Sequence, residues 1–192
     1  MERIMRLKGN NVMYFVPNFT VIDMETTGRG NQYSEITEMS GIRYRNYQPV
    51  ATFTTLVKAH NPILPFVSNL TGIDDKLIED SPDISEVIEA FVEFLGDDLI
   101  VGHNVNFDLN LVYDAYYGTY LRHVRNDYTD TLHFARILVE DSENHKLKTL
   151  AEYFGIKRVN GHRGLPDCEQ TGSLYVALKD RALKTHKIKV WE

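Results

Sequence analysis

The segment TVIDMETTG, residues 20–28, constrains the fold more than any other stretch of the chain. It begins with β-branched and apolar residues and ends in a Thr-Thr-Gly turn signal, which is typical of a strand. Val21 points to one face of this strand and Ile22 to the other, so we expect a central strand that is covered on both sides. Asp23 and Glu25 are two residues apart and must project from the same face. A buried strand therefore ends in two adjacent carboxylates.

The remaining pattern predicts an α/β domain with a mixed sheet. Two more strands, over 35–45 and 51–58, are joined by a turn at 46–49, as in an antiparallel meander. Strands and helices then alternate, which favours parallel strands connected by helices. The next predicted helix has Ser81 as N-cap and Pro82 at its first position, and it ends before Gly96. A strand over 98–103 and a helix over 106–117, capped by Asn106, follow it. The last predicted elements are a strand-to-helix step near 127–138, a helix over 146–154 closed by Gly155, and a helix from Pro166 to about 183.

Composition supports one ordinary globular domain, with 43% hydrophobic and 25% charged residues in a chain of 192. No stretch approaches the roughly 18 to 20 apolar residues that a membrane helix needs, and the first residues lack the apolar core of a signal peptide. We therefore expect no membrane association and a cytoplasmic location. The single cysteine, Cys168, excludes an internal disulfide framework and a multi-cysteine zinc site, and we expect it to be a small buried residue.

The net charge of −6 argues against broad electrostatic capture of a nucleic-acid backbone. The charge is uneven, because ten Lys or Arg stand against six Asp or Glu from residue 143 onward. This basic last quarter could face a polyanion, and a solvated surface with scattered charges explains it equally well.

Two further acids strengthen the hypothesis that Asp23 and Glu25 belong to a functional site. Asp108 follows VGHNVNF and Asp167 follows HRGLP, and each falls in the first turn of a predicted helix. Alone, such an acid only complements the helix dipole. If all four carboxylates meet at the end of the central strand, each pair about 4 Å apart repels by roughly 4 kcal/mol at an effective dielectric near 20. Protons or cations must relieve this repulsion.

An all-oxygen cluster favours the hard cations Mg²⁺ or Mn²⁺ over zinc. Two such ions, roughly 3.5 to 4 Å apart, can activate a water and stabilise the leaving oxygen in phosphodiester cleavage. His162 precedes Asp167 by five positions, so we expect it on a loop beside the acids. Its unperturbed pKa of about 6.5 suits a group that takes a proton from water near neutral pH.

The segments VIDMETTG, VGHNVNFD and HRGLPD resemble, in order, the three exonuclease motifs of the DEDDh, or DnaQ-like, 3′-to-5′ exonucleases, the family of the proofreading subunit of bacterial DNA polymerase III. NLTGI at 69–73, DTLHFAR at 130–136 and HKLKTLAEYFGI at 145–156 match as well. The resemblance implies an RNase H-like fold, a mixed five-stranded sheet flanked by helices. It also implies hydrolysis of the terminal phosphodiesters of DNA, at single strands or frayed 3′ ends, to nucleoside 5′-monophosphates.

The resemblance divides the chain into an N-terminal extension at 1–17, the exonuclease domain at 18–183 and a short basic tail at 184–192. It implies two Mg²⁺ or Mn²⁺ as cofactors, held by the family's metal-binding acids, with His162 as general base. The implied metal ligands are Asp23, Glu25, Asp108 and Asp167. The implied substrate contacts are Thr26, Thr27, Leu70, His103, Asn104 and Phe107. Leu70 and Phe107 would equally serve as core residues, and a structural hydrogen-bonding role is slightly favoured for His103.

The resemblance implies nucleic acid 3′ ends as partners, DNA more than RNA, together with a DNA polymerase and a homodimer of the kind some relatives form. The third motif departs from the usual His-Arg-Ala-Leu at Gly164 and Pro166. We expect Pro166 to leave Asp167 in place and Gly164 to loosen the loop that carries His162. Two alternatives stay open. One is the same chemistry on short or single-stranded RNA. The other is an inactive nucleic-acid or protein-binding module, against which the complete set of repelling acids argues.

Overall fold

The computed structural model describes residues 6–28, 34–157 and 163–191. Within these ranges, strands and helices alternate over the second half of the chain. The strands are β1 (Tyr14–Phe15), β2 (Phe19–Thr26), β3 (Ile36–Arg45), β4 (Gln48–Leu56), β5 (Leu99–Gly102), β6 (Tyr128–Asp130) and β7 (Lys189–Val190). The helices are α1 (Pro65–Thr71), α2 (Ile84–Leu95), α3 (Asn106–Tyr120), α4 (Thr131–Leu138), α5 (Leu147–Tyr153) and α6 (Gly164–Thr185).

The main sheet has five strands in the order β4-β3-β2-β5-β6. β2 is central, antiparallel to β3 and parallel to β5, while β3 pairs antiparallel with β4 and β5 pairs parallel with β6. The mixed five-stranded sheet and its flanking helices confirm the predicted fold class. The turn between β3 and β4 is tighter than predicted, because Asn46 and Tyr47 adopt positive φ and Pro49 already lies in β4.

The central strand is covered on both faces, as its sequence predicts. Val21 belongs to one core cluster, which includes residues of α4 and α6 such as Phe134 and Leu174. Ile22 and Met24 belong to a second cluster, on the opposite face, with residues of α2 and α3. Burial on both faces fixes the register of β2, because a slip of one residue would turn every side chain to the other face.

Four predicted helix starts are wrong by one or two residues, including that of α5, which begins at Leu147 with Lys146 as N-cap. Helix α2 is capped by Asp83, not Ser81, because Asp83 forms a capping box with Glu86, whose carboxylate accepts the backbone N–H of Asp83 at 2.8 Å. In α3, Asn106 is the first helical residue and Val105 the N-cap. Helix α6 begins at Gly164 with Arg163 as N-cap, so Pro166 lies within the first turn. Proline is tolerated there because first-turn N–H groups have no partner inside the helix.

Two features were not predicted. The first is α1, which has proline at its start and ends at Gly72 in the left-handed conformation. The second is a small parallel sheet between β1 and β7, which brings residues 14–15 beside 189–190. The segment before β1 also lies along the edge strand β6, because Val12 N–H donates to Tyr128 O at 2.8 Å. The described parts of the expected extension and tail thus pair with each other and with the main sheet. No helix in the described part of the chain is long and apolar enough to cross a membrane.

Candidate active site

Three carboxylates meet at one end of the central strand. Asp23 and Glu25 leave the same face of β2, and Asp167 lies in the first turn of α6, which packs against β2 and β3. The three residues each offer an oxygen atom, and these atoms lie within 4.8 Å of one another. They come together because the strand alternation aims the first two acids at the helix that carries the third.

Asp108, on helix α3, reaches the same end of β2. It lies in the first turn of α3, is only 6% exposed, and its Oδ1 accepts the backbone N–H of Met24 at 2.9 Å. It is not one of the three acids whose oxygens share the 4.8 Å group, but its charge is among those that raise the pKa of Asp23. The structure therefore brings all four predicted acids to one place, with Asp108 held against the strand backbone.

Burial dominates the acidity of the cluster. It raises the pKa of Asp23 well above its ordinary value, and the charges of Asp108, Glu25 and Asp167 raise it further. Burial and the charge of Asp167 raise the pKa of Glu25 to about 7. Burial also raises the pKa of Asp108 to about 7, although the hydrogen bond from Met24 opposes the shift. The acids cannot all ionise near neutral pH without a cation, and their hard oxygen donors suit Mg²⁺ or Mn²⁺.

A fifth acid, Glu38 on β3, lies opposite Glu25 in the ladder and was missed by the sequence analysis. It is 3% exposed, and both of its oxygens accept hydrogen bonds from Arg163, including one of 2.6 Å from Nη2. Its Oε2 also accepts the backbone N–H of Gly164 at 2.9 Å. Glu38 is thus neutralised by a charged partner and anchors the start of α6. An Arg directly after the predicted base was the only signal in the sequence.

Gly164 is buried tightly against β3. A Cβ atom added there would lie 2.5 Å from Ser40 Oγ and 2.7 Å from Ser40 Cβ, distances that side chains essentially never adopt. The glycine therefore lets α6 approach the sheet at this point. The expectation that Gly164 loosens the preceding loop concerns that loop and His162, which lie outside the described residues.

The two threonines after the acids are engaged with the local backbone. Thr26 and Thr27 are 5% and 3% exposed. The hydroxyl of Thr26 donates to Gly28 O at 2.6 Å, and that of Thr27 accepts the N–H of Glu35 at 3.1 Å. These hydrogen bonds stabilise the turn after β2, so both threonines have a structural role. Contact with a ligand would be a second role.

The remaining predicted contact residues lie in different surroundings: Phe107 lines one cavity of the described structure, and His103 and Asn104 line another. Leu70 is 51% exposed, so it does not serve as a core residue, and Phe107 is half-buried beside a cavity of about 470 Å³. The ring of His103 bonds Thr131 Oγ1 and His145 O, each at 2.9 Å. Asn104 is exposed, with its backbone in the left-handed region. Cys168 is fully buried, as expected for the single cysteine of the chain.

The chain matches known exonucleases. A family model described as Exonuclease matches residues 20–175. The DNA polymerase III PolC-type of Caldanaerobacter subterraneus subsp. tengcongensis is 37% identical over 163 residues, which cover 85% of this chain and 12% of the relative. The protein of the same name from Bacillus subtilis is 34% identical over 168 residues, which cover 86% and 12%. This chain therefore spans about 12% of the length of these curated relatives.

Solved structures with the same fold are exonucleases as well. E. coli Exonuclease I in complex with a dT13 oligonucleotide aligns with a TM-score of 0.76 at 16% identity, covering 89% of this chain and 43% of that chain. Exonuclease X in complex with 5′ overhanging duplex DNA aligns with a TM-score of 0.67 at 23% identity, covering 91% and 94%. At these identities the likeness shows a shared fold, with helices on both faces of a mixed sheet.

Proposed function

The chain belongs to this exonuclease family, and on that premise we propose that it removes nucleotides from the 3′ end of DNA as nucleoside 5′-monophosphates. The observation that carries the proposal is the group of oxygens from Asp23, Glu25 and Asp167 within 4.8 Å, with Asp108 against the same strand. DNA is favoured over RNA because the relatives are DNA polymerases by name and the aligned exonucleases were solved with DNA.

The acids fit a pair of divalent cations. Asp23, Glu25, Asp108 and Asp167 would hold two Mg²⁺ or Mn²⁺, which supply activation of water and stabilisation of the departing oxygen when bound. The cluster is rigid, because its members stand on a central strand and on two helices that pack against it. A rigid set of ligands holds the scissile phosphate in the geometry for attack without further ordering at the moment of reaction.

The chain supplies a proton acceptor and a way to position it. His162 would take the proton from the attacking water, as a neutral imidazole can near pH 7. Directly after it, Arg163 is fixed by Glu38, and four residues further on Asp167 N–H donates to Arg163 O at 3.1 Å. The base and the last acid therefore flank one anchored residue.

Three further assignments belong to the proposal, and only the first rests on the relatives. A DNA polymerase is the proposed partner, because PolC-type polymerases contain a segment similar to this chain. The proposal keeps the cytoplasmic location expected from the sequence. A homodimer remains a prediction, which sedimentation of the purified protein over a range of concentrations tests.

The test is digestion of matched DNA and RNA oligonucleotides, labelled at the 5′ or the 3′ end, with Mg²⁺ or Mn²⁺. The expected result is a stepwise ladder from 5′-labelled DNA, immediate release of mononucleotide from 3′-labelled DNA, and slower loss of RNA. The variant Asp23→Ala should lose roughly 100- to 1,000-fold in kcat, the loss seen when a charge-stabilising group is removed. Glu79→Ala, which changes an exposed acid away from the cluster, should keep wild-type activity. Faster loss of RNA would select the ribonuclease alternative, and no loss with either metal would leave only the binding module.

A further inference from the structure

A second polar cavity opens on the side of the site that faces the basic last quarter of the chain. It has a volume of about 570 Å³, within the range of ligand pockets. One wall is formed by His103 and Asn104, at the junction between β5 and α3, and another by Asn144 to Leu147, just before α5. Because β5 runs parallel to β2, this junction lies at the same end of the sheet as Asp23.

The described lining of the cavity carries positive charge without a carboxylate beside it. Arg136, in the last turn of α4, and Lys146, the N-cap of α5, both line it, and none of the other described lining residues is an acid. Within the described ranges neither cation is ion-paired. The nearby acid, Asp130, is only 2% exposed and is occupied as an acceptor for the backbone N–H groups of Asn104 and Leu132. Both cations are exposed to solvent, and an anion could reach them.

The walls that carry the cations are tied together by hydrogen bonds, most of them partly buried. His103 Nε2 donates to His145 O at 2.9 Å, while Nδ1 bonds Thr131 Oγ1 at the start of α4. The ring of His145 bonds Val139 O at 2.9 Å, and Asn144 Oδ1 accepts the backbone N–H of Lys146 at 3.0 Å. The segments bearing the two cations are therefore fixed relative to Asn104 before any ligand arrives. Such preorganisation lowers the entropic cost of binding.

We propose that Arg136 and Lys146 form a phosphate-binding site for the backbone of the substrate strand, upstream of the bond that is cleaved. The inference rests on the proposed function, because a strand whose 3′ end lies on the acid cluster must continue across the same end of the sheet. Arg136 offers the planar fork that matches a phosphate, and Lys146 adds a point charge. The site would take phosphodiesters of any sequence, and it explains how a chain of net charge −6 holds a polyanion locally.

The experiment compares two substrates of the double variant Arg136→Gln, Lys146→Gln. One is a 5′-fluorescent decathymidylate, which has upstream phosphates. The other is the p-nitrophenyl ester of thymidine 5′-monophosphate, which has the scissile phosphodiester but no upstream backbone. We expect KM for the oligonucleotide to rise roughly tenfold to hundredfold, as for the loss of two solvent-exposed charge contacts of about 1 kcal/mol each. Hydrolysis of the ester should change less than twofold.

The salt dependence of KM is a second measurement, and it should not change if Arg136 and Lys146 only stabilise the fold. The slope of log(1/KM) against log salt concentration should become shallower by about 1.4, since each phosphate contact on a single strand contributes about 0.7. The matched control is Arg122→Gln, Arg125→Gln, which removes two exposed cations just before β6, at the opposite end of the sheet. This control should keep both KM and the salt slope.

The outcomes separate this site from the proposed function. If the wild type hydrolyses both substrates and the double variant keeps the wild-type KM and salt slope, the phosphate site is refuted and the exonuclease stands. An equal loss on both substrates, or an equal loss in the control, also refutes the site. If the wild type hydrolyses neither substrate with either metal, both proposals fail.

Discussion

Arg163 and Glu38 form a bidentate ion pair between the start of α6 and the first part of β3. Arg163 Nη2 lies 2.6 Å from Glu38 Oε1, and Nε lies 3.1 Å from each oxygen of the carboxylate. The Glu38 side chain is 4% exposed, whereas that of Arg163 is 41% exposed. The pair thus joins a buried acid to a cation that reaches the surface, next to the residue proposed as general base.

Removing the cation should destabilise the protein more than removing the pair. Arg163→Met leaves the buried Glu38 carboxylate without its ion-pair partner, which costs about 3 kcal/mol. The melting temperature should fall by roughly 6 to 12 °C. In the double variant Glu38→Gln, Arg163→Met the buried charge is gone, and at least half of this loss should be recovered. Thermal melts of the wild type, the single variants Arg163→Met and Glu38→Gln, and the double variant measure the coupling. Additive losses would show that the two side chains act independently.

Because Gly164 packs closely against Ser40, a larger residue at position 164 should destabilise the protein. Gly164→Ala places a Cβ against Ser40 Oγ and Cβ, and such overpacking costs about 1 to 3 kcal/mol. Adding Ser40→Gly removes both opposing atoms and should restore stability and activity. Adding Ser40→Ala instead is the matched control, because it keeps the Cβ that would lie 2.7 Å away, so it should rescue far less. Equal rescue by both variants would show that the conflict is with the hydroxyl alone.

Without metal, the protein should become less stable as the pH rises from about 5 to 8. The folded-state pKa values of Glu25 and Asp108 are about 7, above the ordinary values near 4. The folded protein therefore binds more protons than the unfolded chain across this window, and stability falls with rising pH. Each group loses about 2.7 kcal/mol of stabilisation between pH 5 and 7, so the melting temperature in EDTA should fall by roughly 10 to 20 °C. Asp23→Asn should flatten the slope, whereas Glu79→Gln should keep it; an unchanged slope in Asp23→Asn would contradict a coupled cluster.

Divalent metal should reverse this instability. An ion at 100 times its dissociation constant stabilises the folded state by about 2.7 kcal/mol, so millimolar Mg²⁺ or Mn²⁺ should raise the melting temperature at pH 8 by roughly 5 to 10 °C. Asp167→Asn removes one of the three clustered acids and should abolish most of the shift. Differential scanning calorimetry measures both proteins, with Glu79→Gln as the control. A shift of the same size in Asp167→Asn would place the bound ion elsewhere.

The proposed base should control the pH dependence of turnover. In the wild type, kcat should rise as the pH passes about 6.5, where an ordinary histidine loses its proton. His162→Ala should lower kcat by roughly 100- to 10,000-fold and remove this inflection. His186→Ala, which changes an exposed histidine at the end of α6, should keep the wild-type profile. An inflection that survives in His162→Ala would assign the proton transfer to another group.

The central strand could be predicted because its own residues contain the information. The alternation along the strand predicts that Val21 lies on one face and that Ile22 and Met24 lie on the other. In the structure, Val21 belongs to one core cluster, and Ile22 and Met24 belong to the other. The four acids could be predicted for a similar reason, since each falls at a boundary between elements. Boundaries themselves were less predictable. Ser81 and Asp83 are both good N-caps, and only the reciprocal bond with Glu86 decides between them.

The partners of the third motif could not be predicted, because they depend on contacts across more than 120 residues. Glu38 reads as one more acid in a strand, and nothing local shows that Arg163 will bind it. Likewise nothing in the sequence shows that Gly164 will pack against Ser40, which lies 124 positions earlier in the chain. The pairing of β1 with β7 joins two-residue strands from distant parts of the chain, which are too short for a periodic signal.

The separation of Asp23 from Asp167 along the chain also bears on biosynthesis. The strands β2, β3 and β4 are sequential, so their antiparallel ladders can form while the rest of the polypeptide is still being made. The last acid arrives on α6, 144 residues after the first, which at about 5 to 20 residues per second means a delay of roughly 7 to 30 s. A nascent chain on the ribosome therefore carries Asp23 and Glu25 before the acid cluster is complete, and the proposed nuclease activity would begin only after α6 has emerged and docked.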